Sequence, residues 1–405
     1  MREENFIVRK PLLNAQEQVL GYELTWRRDD ADTGKLSEAD AKTLADIVSV
    51  PVGEMDAAML PGGEHLLFLE AKASLIKEDA YSRLPKHGTV LALSADDLAD
   101  ADAVAAARSL RVRGYGISLR DANLVTIDRS LFSLFSHIEI AADADDFLTQ
   151  TQFYRSLDLP ALRLVARNVA DWVQYDMCAS QGMEVFADKL HLTPRPDDRP
   201  KELNPAQNMI LQLMDMVKKG DDVKQLESVL KRDAALSYKL LRYINSAGFG
   251  LGCEIQSLRH AVTLLGYSPL YRWLALLLVT ATASGNSPVL MQAAVIRGRF
   301  SELLGNGFLP KQEAENLFVA GMFSLLDRLI GIPMEDVLEK IPLSNAVSEA
   351  LLSREGIYGP FLALAEACES NAADIASMAA SLCISPRDVN LAHLSALAWV
   401  QNLRL

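Results

Sequence analysis

The chain has 405 residues, half of them apolar and only 7% aromatic, a composition typical of a globular, helix-rich protein that excludes a disordered one. Its length exceeds what one hydrophobic core usually serves, so we expect two or three domains. The net charge of −13 is concentrated in residues 1–200, with 22 Lys and Arg against 33 Asp and Glu, which argues against a nucleic-acid partner.

The spacing of the cysteines and the hydropathy of the chain indicate the cellular compartment of the protein. The four cysteines are scattered without CxxC spacing, which argues against a zinc cluster or a disulfide framework and suits a reducing compartment. The chain starts MREENFIVRK, which has no apolar signal segment, and its most apolar stretch, Leu274–Ala283, has about half the length of a membrane span. We therefore expect a cytoplasmic protein in which this stretch is a buried helix.

Short apolar runs alternate with segments of helical period in the first half. This alternation predicts a mostly parallel sheet, and about eight strands with intervening helices favour a TIM-like (β/α) barrel over an open sheet. A short turn-like stretch, residues 14–18, joins the first two runs, so we expect a hairpin and an antiparallel first strand. The predicted strands are Phe6–Leu12, Val19–Trp26, Leu66–Leu69, Val90–Leu93, Gly116–Leu119, Ile138–Ile140, Leu162–Val165 and Val185–Ala187.

A proline-rich segment separates two regions that differ in the spacing of their apolar residues. Residues 193–205 hold four prolines, and proline interrupts both helix and sheet. We predict a barrel domain over 1–193, a linker over 194–205 and an all-helical domain over 206–405. The helices predicted in that last domain are Met209–Val217, Val223–Leu230, Ala234–Asn245, Leu258–Leu265, Leu270–Ala283, Val289–Leu304, Glu313–Leu325, Asn345–Leu352, Phe361–Glu369, Ala372–Leu382 and Val389–Leu403.

Two parts of the sequence resemble known domain families. Residues 21–27, GYELTWR, resemble the signature of EAL domains, the cyclic di-GMP phosphodiesterase family, and the opening VRKPLLNAQEQVLGYEL resembles the variant found in EAL–HDOD proteins. In the second half, DAALS at 233–237, LLRYINSA at 240–247 and SLRHAV at 257–262 are similar to the core of the HDOD domain. The chain thus resembles a two-domain EAL–HDOD signalling protein over almost its whole length.

The EAL resemblance implies a site for two divalent cations at the carboxyl ends of the barrel strands. Such a site holds metal through Glu, Asn and Asp ligands and activates water for attack on a phosphodiester. Glu23 stands at the position of the signature Glu, and Arg27 at that of an Arg that contacts phosphate. The remaining positions of the family's site fall on Glu70, Ala92, Arg120, Asp121, Glu139, Ala141, Ala170 and Ala187.

These departures predict that the barrel neither binds metal nor hydrolyses cyclic di-GMP. Alanine offers no ligand atom, and Arg120 would repel a cation by roughly 4 kcal/mol per unit of ion charge at about 4 Å and an effective dielectric constant of about 20. One alternative is binding of cyclic di-GMP without hydrolysis, with Glu23, Arg27 and Arg120 in contact with the nucleotide. The other interpretation is a structural remnant, in which Glu23 and Arg27 form an ion pair in the barrel mouth.

The HDOD resemblance implies a helical domain related to HD phosphohydrolases but without their metal residues. None of the six histidines precedes an Asp, and only His260 and His393 lie in the helical half, too few for the usual metal site. We expect His260 to be a hydrogen-bonded core or capping residue. A functional alternative is that Arg242, Asn245 and Arg259 line a peptide-binding groove.

The resulting prediction is a non-enzymatic signal-transduction scaffold that contacts other signalling proteins through exposed helical surfaces. The EAL resemblance also implies self-association as a homodimer. The alternatives are a receptor that binds cyclic di-GMP without hydrolysing it and a residual metal-dependent phosphodiesterase. No cofactor, nucleic acid or membrane is expected to take part, and the sequence names neither the partner nor the pathway.

Overall fold

The protein folds as two compact units, residues 1–191 with 369–373 and residues 192–368 with 374–405. The first unit is α/β and the second is all-helical, which confirms the predicted fold class. No helix in the described part of the chain is long and apolar enough to cross a membrane. The structure, a computed structural model, describes residues 5–26, 36–49, 65–187, 190–193, 195, 203–245, 254–282, 288–341, 343–370, 374–401 and 403.

A closed barrel of eight strands in chain order forms the centre of the first unit. The strands are β1 (Ile7–Leu13), β2 (Val19–Trp26), β3 (Leu66–Glu70), β4 (Thr89–Ser94), β5 (Gly116–Arg120), β6 (His137–Ala141), β7 (Arg163–Arg167) and β8 (Val185–Ala187). β1 runs antiparallel to both β2 and β8, whereas the other neighbouring pairs are parallel. The barrel, its eight strands and the antiparallel first strand are therefore as the sequence predicts, with strand ends shifted by at most two residues.

Helices follow most of the parallel strands on the outside of the barrel. They are α1 (Glu38–Val48), α2 (Ala73–Lys77), α3 (Ala101–Val112), α4 (Phe147–Ser156) and α5 (Trp172–Ser180). The side chains of Ser37, Asp100 and Asp171 each accept a backbone hydrogen bond in the first turn of α1, α3 and α5. Such caps satisfy N–H groups that have no partner inside the helix, and so fix where each helix begins.

The barrel interior is filled by layers of side chains. One layer is apolar and consists of Leu12, Phe68, Val90, Val165, Val185 and Ala187. Because successive strand residues alternate between the two faces, the residue two positions beyond an inward-facing one also faces inward. Phe68 is followed in this way by Glu70, and Val165 by Arg167. The next layer, toward the carboxyl ends of the parallel strands, is therefore charged.

Thirteen helices make up the described part of the second unit. All of the predicted helices are present, with ends shifted by a few residues, and two further helices, Leu326–Ile330 and Met334–Lys340, are too short to show a helical period in the sequence. The helices are α6 (Pro205–Lys219), α7 (Val223–Leu230), α8 (Ala234–Ile244), α9 (Leu258–Leu265), α10 (Tyr267–Thr282), α11 (Pro288–Gly305), α12 (Lys311–Phe323), α13 (Leu326–Ile330), α14 (Met334–Lys340), α15 (Asn345–Ser353), α16 (Gly359–Ser370), α17 (Ile375–Ser381) and α18 (Pro386–Gln401).

The predicted linker lies largely outside the described residues, but its last residue belongs to a helix. α6 begins at Pro205, where proline is favoured because the first helical N–H needs no intrahelical partner. The side chain of Asn204 accepts from the backbone of Gln207, and the side chain of Gln207 accepts from the backbone of Asn204. This capping box starts the first α-helix of the second unit at Pro205, four residues before the predicted start at Met209.

Two glycines let α11 and α12 approach closely in the second unit. A Cβ atom on Gly321 would lie 2.7 Å from the Cα atom of Gly298 and 2.8 Å from the carbonyl oxygen of Arg297. α11 is buried along most of its length, including the guanidinium of Arg297, which donates to Ser324 at 2.8 Å and to Glu366 at 3.0 Å. The centre of this unit therefore combines close backbone contact with a satisfied buried charge.

Candidate functional site

The candidate site is the layer of charged side chains at the carboxyl ends of the parallel strands. We call it the charged layer, and it consists of Lys10, Glu23, Glu70, Arg120, Glu139 and Arg167. Each comes from a different strand, since the barrel brings the ends of its strands together around one axis. Three of the residues at the positions implied by the EAL resemblance, Glu23, Arg120 and Glu139, are buried inside it.

Arg120 joins the two most buried carboxylates. Its Nη2 atom donates to Glu23 Oε1 at 2.5 Å, and its Nε atom donates to Glu139 Oε2 at 2.7 Å. The hydroxyl of Ser118, two residues earlier on the same strand, donates to Glu139 Oε1 at 2.8 Å. Because a guanidinium has five donors in a fixed plane, one side chain bridges both acids with good hydrogen-bond geometry.

Arg167 bridges the same two carboxylates from β7, and the sequence reasoning missed it. Its Nη1 atom lies 3.0 Å from Glu23 Oε1 and 3.0 Å from Glu139 Oε2, and its Nη2 atom donates to Glu23 Oε2 at 3.2 Å. The predicted strand ends at Val165, two residues before Arg167, which lies on the same inward face of β7. Strand alternation was the signal that could have found it.

Glu70 and the lysines form the outer part of the site. Lys10 Nζ lies 3.9 Å from Glu23 Oε2, and Arg120 Nη1 lies 3.9 Å from Glu70 Oε2. Lys72, outside the charged layer, lies 3.8 Å from Glu70. The charged layer itself contains three carboxylates and three cationic side chains. Its formal charge is therefore zero without any ion from solution.

The pKa directions show which groups stay ionised. Burial would raise the pKa of Glu23, but the nearby Arg167 and Arg120 outweigh it and hold that pKa well below its usual range. Burial would lower the pKa of Arg120, but Glu139 and Glu23 raise it above its usual range. The pKa of Arg167 is likewise raised, because Glu23 and Glu139 outweigh burial and the neighbouring Arg120. These groups therefore face one another as ions at neutral pH.

The other positions implied by the EAL resemblance contribute no charge to this layer where the structure describes them. Ala92 is buried in β4, Ala187 is part of the apolar layer, and Ala170 is exposed after β7. Asp121 follows β5 with a φ of 51° and is exposed, a left-handed conformation that Asp tolerates better than most residues. Arg27 lies outside the described residues, so its predicted contact with Glu23 stays a prediction.

The charged layer does not fit the pair of divalent cations that the EAL resemblance implies. A cation needs carboxylate oxygens with free lone pairs, whereas those of Glu23 and Glu139 already accept from two guanidiniums. The described residues contain no group of three or more His, Cys, Asp or Glu side chains placed to hold a metal ion. A cation entering this layer would have to displace Arg120 and Arg167 first.

Asn245 in the helical unit makes structural contacts. Its amide oxygen accepts from the backbone N–H of Ile255 at 2.7 Å, and its amide nitrogen donates to the carbonyl of Ile255 at 2.8 Å. Arg242 is exposed on α8, and the exposed Arg259 lies 3.4 Å from Glu227. Asn245 therefore joins the C-terminal end of α8 to Ile255, and the proposed groove of Arg242, Asn245 and Arg259 stays a prediction.

His260 is exposed, so of its two expected roles, core residue or capping residue, the core role is wrong. Only its backbone takes part in capping, because its N–H donates to the side chain of Ser257 at 3.1 Å. The helix-period pattern around it did not distinguish the outer face of the short helix α9 from the inner one. His393, by contrast, is fully buried and stacks on Phe300 with the ring centres 4.6 Å apart.

Comparisons with known proteins agree with this architecture. Residues 203–343 match the HDOD domain family. YuxH, an uncharacterized protein of Bacillus subtilis, is 25% identical over 408 residues that cover 98% of each chain. The cyclic di-GMP phosphodiesterase CdgJ of Vibrio cholerae is 27% identical over 368 residues that cover 90% of this chain and 84% of CdgJ. The chain therefore carries an HDOD domain in its C-terminal part and fits the two-domain EAL–HDOD family.

Among solved structures, EAL-domain proteins align with part of this chain. One of them is YkuI of Bacillus subtilis, a protein with an EAL domain whose structure is in complex with substrate c-di-GMP and calcium. The alignment covers 65% of this chain and 73% of YkuI. The sequences are 14% identical and the TM-score is 0.35.

Proposed function

We propose that this protein is a non-enzymatic signal-transduction scaffold whose EAL-type barrel has lost phosphodiesterase activity. The observation that carries the proposal is the pairing of Glu23 and Glu139 with Arg120 and Arg167. Metal-dependent hydrolysis of a phosphodiester needs carboxylates that bind cations and a water activated by them. Here the carboxylates are bound by the protein's own cations.

The strength of these ion pairs supports the proposal. Breaking a buried ion pair by removing one partner costs about 3–5 kcal/mol, because it leaves a charge without compensation in a poorly solvated place. An entering cation would have to break several such contacts and would also face the positive charge of both arginines. A metal site at this position is therefore strongly disfavoured relative to the observed pairing.

A cyclic di-GMP receptor is the second candidate, and the same contacts argue against it. Arg120 is the described cation that the sequence offers for a phosphate, but its guanidinium donates to Glu23 and Glu139. CdgJ is named a cyclic di-GMP phosphodiesterase, and YkuI was solved with c-di-GMP, so the nucleotide is the ligand to test. With its own site satisfied, the protein would act by contacting other signalling proteins, as a monomer or a homodimer.

Hydrolysis and binding assays test the proposal directly. We expect no turnover of cyclic di-GMP with Mg²⁺ or Mn²⁺ and no heat of binding in calorimetry at micromolar protein. Glu23→Gln is the matched control, because it removes one carboxylate oxygen while keeping the size of the side chain. Turnover that Glu23→Gln abolishes would refute the proposal. Binding without turnover would replace it with the receptor. A pull-down that recovered no partner for the full chain would count against the scaffold.

A further inference from the structure

The positions of two nitrogen atoms in the charged layer resemble the position of a bound cation. Arg167 Nη1 lies 3.0 Å from one oxygen of Glu23 and 3.0 Å from one oxygen of Glu139. Arg120 Nη2 lies 2.5 Å from Glu23 Oε1 and 3.3 Å from Glu139 Oε1. Each nitrogen thus lies between the carboxylates of Glu23 and Glu139. The two oxygens that a nitrogen contacts can be no farther apart than the sum of its distances to them.

This upper limit admits the spacing that a divalent cation would require. Calcium binds carboxylate oxygens at about 2.3–2.6 Å, so two oxygens on opposite sides of the ion lie about 5 Å apart. Glu70, 3.9 Å from Arg120 Nη1, is a third carboxylate at the edge of the same layer. Two positive charges from arginine supply the charge of one divalent ion, in a layer that is then neutral.

We propose that Arg120 and Arg167 are built-in counter-ions that replace a divalent cation, so that the barrel keeps Glu23 and Glu139 in place without any metal. The proposal concerns the same layer as the proposed function. It rests on the geometry of the arginines and makes a claim about folding, not about hydrolysis. The two can therefore fail separately: turnover by the unmodified protein would refute the proposed function, whereas the experiment below reads only the barrel's stability.

The experiment measures hydrogen exchange of the barrel strands in variants of the full chain. In the double variant Arg120→Met/Arg167→Met we expect faster amide exchange in β2, β5 and β6, because the carboxylates lose their counter-ions. Millimolar Mn²⁺ or Ca²⁺ should restore protection in this variant and leave the unmodified protein unchanged. Adding Glu139→Gln to the double variant should remove the restoring effect, since the cation then loses a ligand.

A charge-neutral variant keeps the test decisive if the double variant does not fold. This quadruple variant removes both acids together with both counter-ions: Glu23→Gln/Glu139→Gln/Arg120→Met/Arg167→Met. We expect it to fold, and we expect Mn²⁺ and Ca²⁺ to leave its amide exchange unchanged. Failure of this variant to fold would overturn the proposal, because the arginines would then be needed for something other than charge compensation. Equal protection of the double variant and the unmodified protein without metal, or no response of the folded double variant to either cation, would also overturn it.

Discussion

His137 makes the barrel sensitive to acid. It lies at the start of β6, is 5% exposed, and packs edge-on against Phe68 with ring centroids 5.1 Å apart. Its Nδ1 atom is 2.9 Å from the hydroxyl of Ser136, whereas its Nε2 atom has no hydrogen-bond partner within the described part of the chain. Burial, with a smaller contribution from Arg163, lowers the pKa of His137 to about 4. The folded barrel therefore holds this imidazole neutral at physiological pH.

The direction of the effect follows from linkage. The unfolded chain binds a proton at the ordinary histidine pKa of about 6.5, whereas the folded chain binds it only near pH 4, so acid favours unfolding. The contribution of His137 to stability is complete above pH 6.5 and is lost as the pH falls toward 4. At about 1.4 kcal/mol per pH unit, roughly 2 kcal/mol is lost by pH 5 and about 3 kcal/mol by pH 4.

Urea unfolding between pH 7.5 and 5 measures this loss, followed by the fluorescence of Trp26 and Trp172 of the barrel in a Trp273→Phe/Trp399→Phe background. We expect His137→Phe, which keeps a ring against Phe68, to flatten the pH dependence by about 2 kcal/mol over that range. His260→Asn is the matched control, because it removes an exposed histidine. The titration ends at pH 5 to limit the contribution of Glu23. Because the pKa of Glu23 is lowered in the folded barrel, the stability that Glu23 contributes is lost only as the pH falls below about 4.5. If His137→Phe and the unmodified protein show the same slope, the reasoning is refuted.

Two further predictions concern the helical unit. Gly321→Ala should destabilise it by about 1–3 kcal/mol, because the added Cβ would lie 2.7 Å from Gly298 Cα in the neighbouring helix. Gly305→Ala, whose Cβ would meet the side-chain ends of Leu317 and Leu309 with no backbone atom among its nearest contacts, should cost less in thermal unfolding, and equal costs would contradict the close crossing. Asn245→Ala should cost about 1–2 kcal/mol and speed amide exchange at Ile255, since both hydrogen bonds to that residue are lost. Loss of partner binding with unchanged exchange would instead favour the peptide groove.

The fold was largely predictable because its signals are local. The eight strands were visible as short apolar runs, and the hairpin as a short polar turn between the first two. The helices of the second unit were visible from their period, except α13 and α14, which are too short to show one. Strand ends were less certain, and that uncertainty removed Arg167 from consideration. An error of two residues in a strand was therefore enough to hide a member of the site.

The candidate site was only partly predictable, because its chemistry depends on pairing. The sequence singled out Glu23, Arg120 and Glu139 by their positions in the EAL resemblance, and the structure brings all three together. It suggested Arg27 as the partner of Glu23, whereas the described contacts of Glu23 are with Arg120, Arg167 and Lys10. Which cationic side chain pairs with which carboxylate depends on the length and direction of the side chains across the barrel. The local sequence pattern predicts neither.

The sequence by itself determined the two-part architecture, the parallel barrel with its reversed first strand, and the presence of acids and arginines at the strand ends. These features follow from periodicity, proline placement and motif residues, which act over a few positions in the chain. Only the tertiary structure decided that the acids are neutralised from within. Closing the barrel brings together Glu23 and Arg120, 97 residues apart, and Glu23 and Arg167, 144 residues apart. Burial then makes each charge depend on its partner.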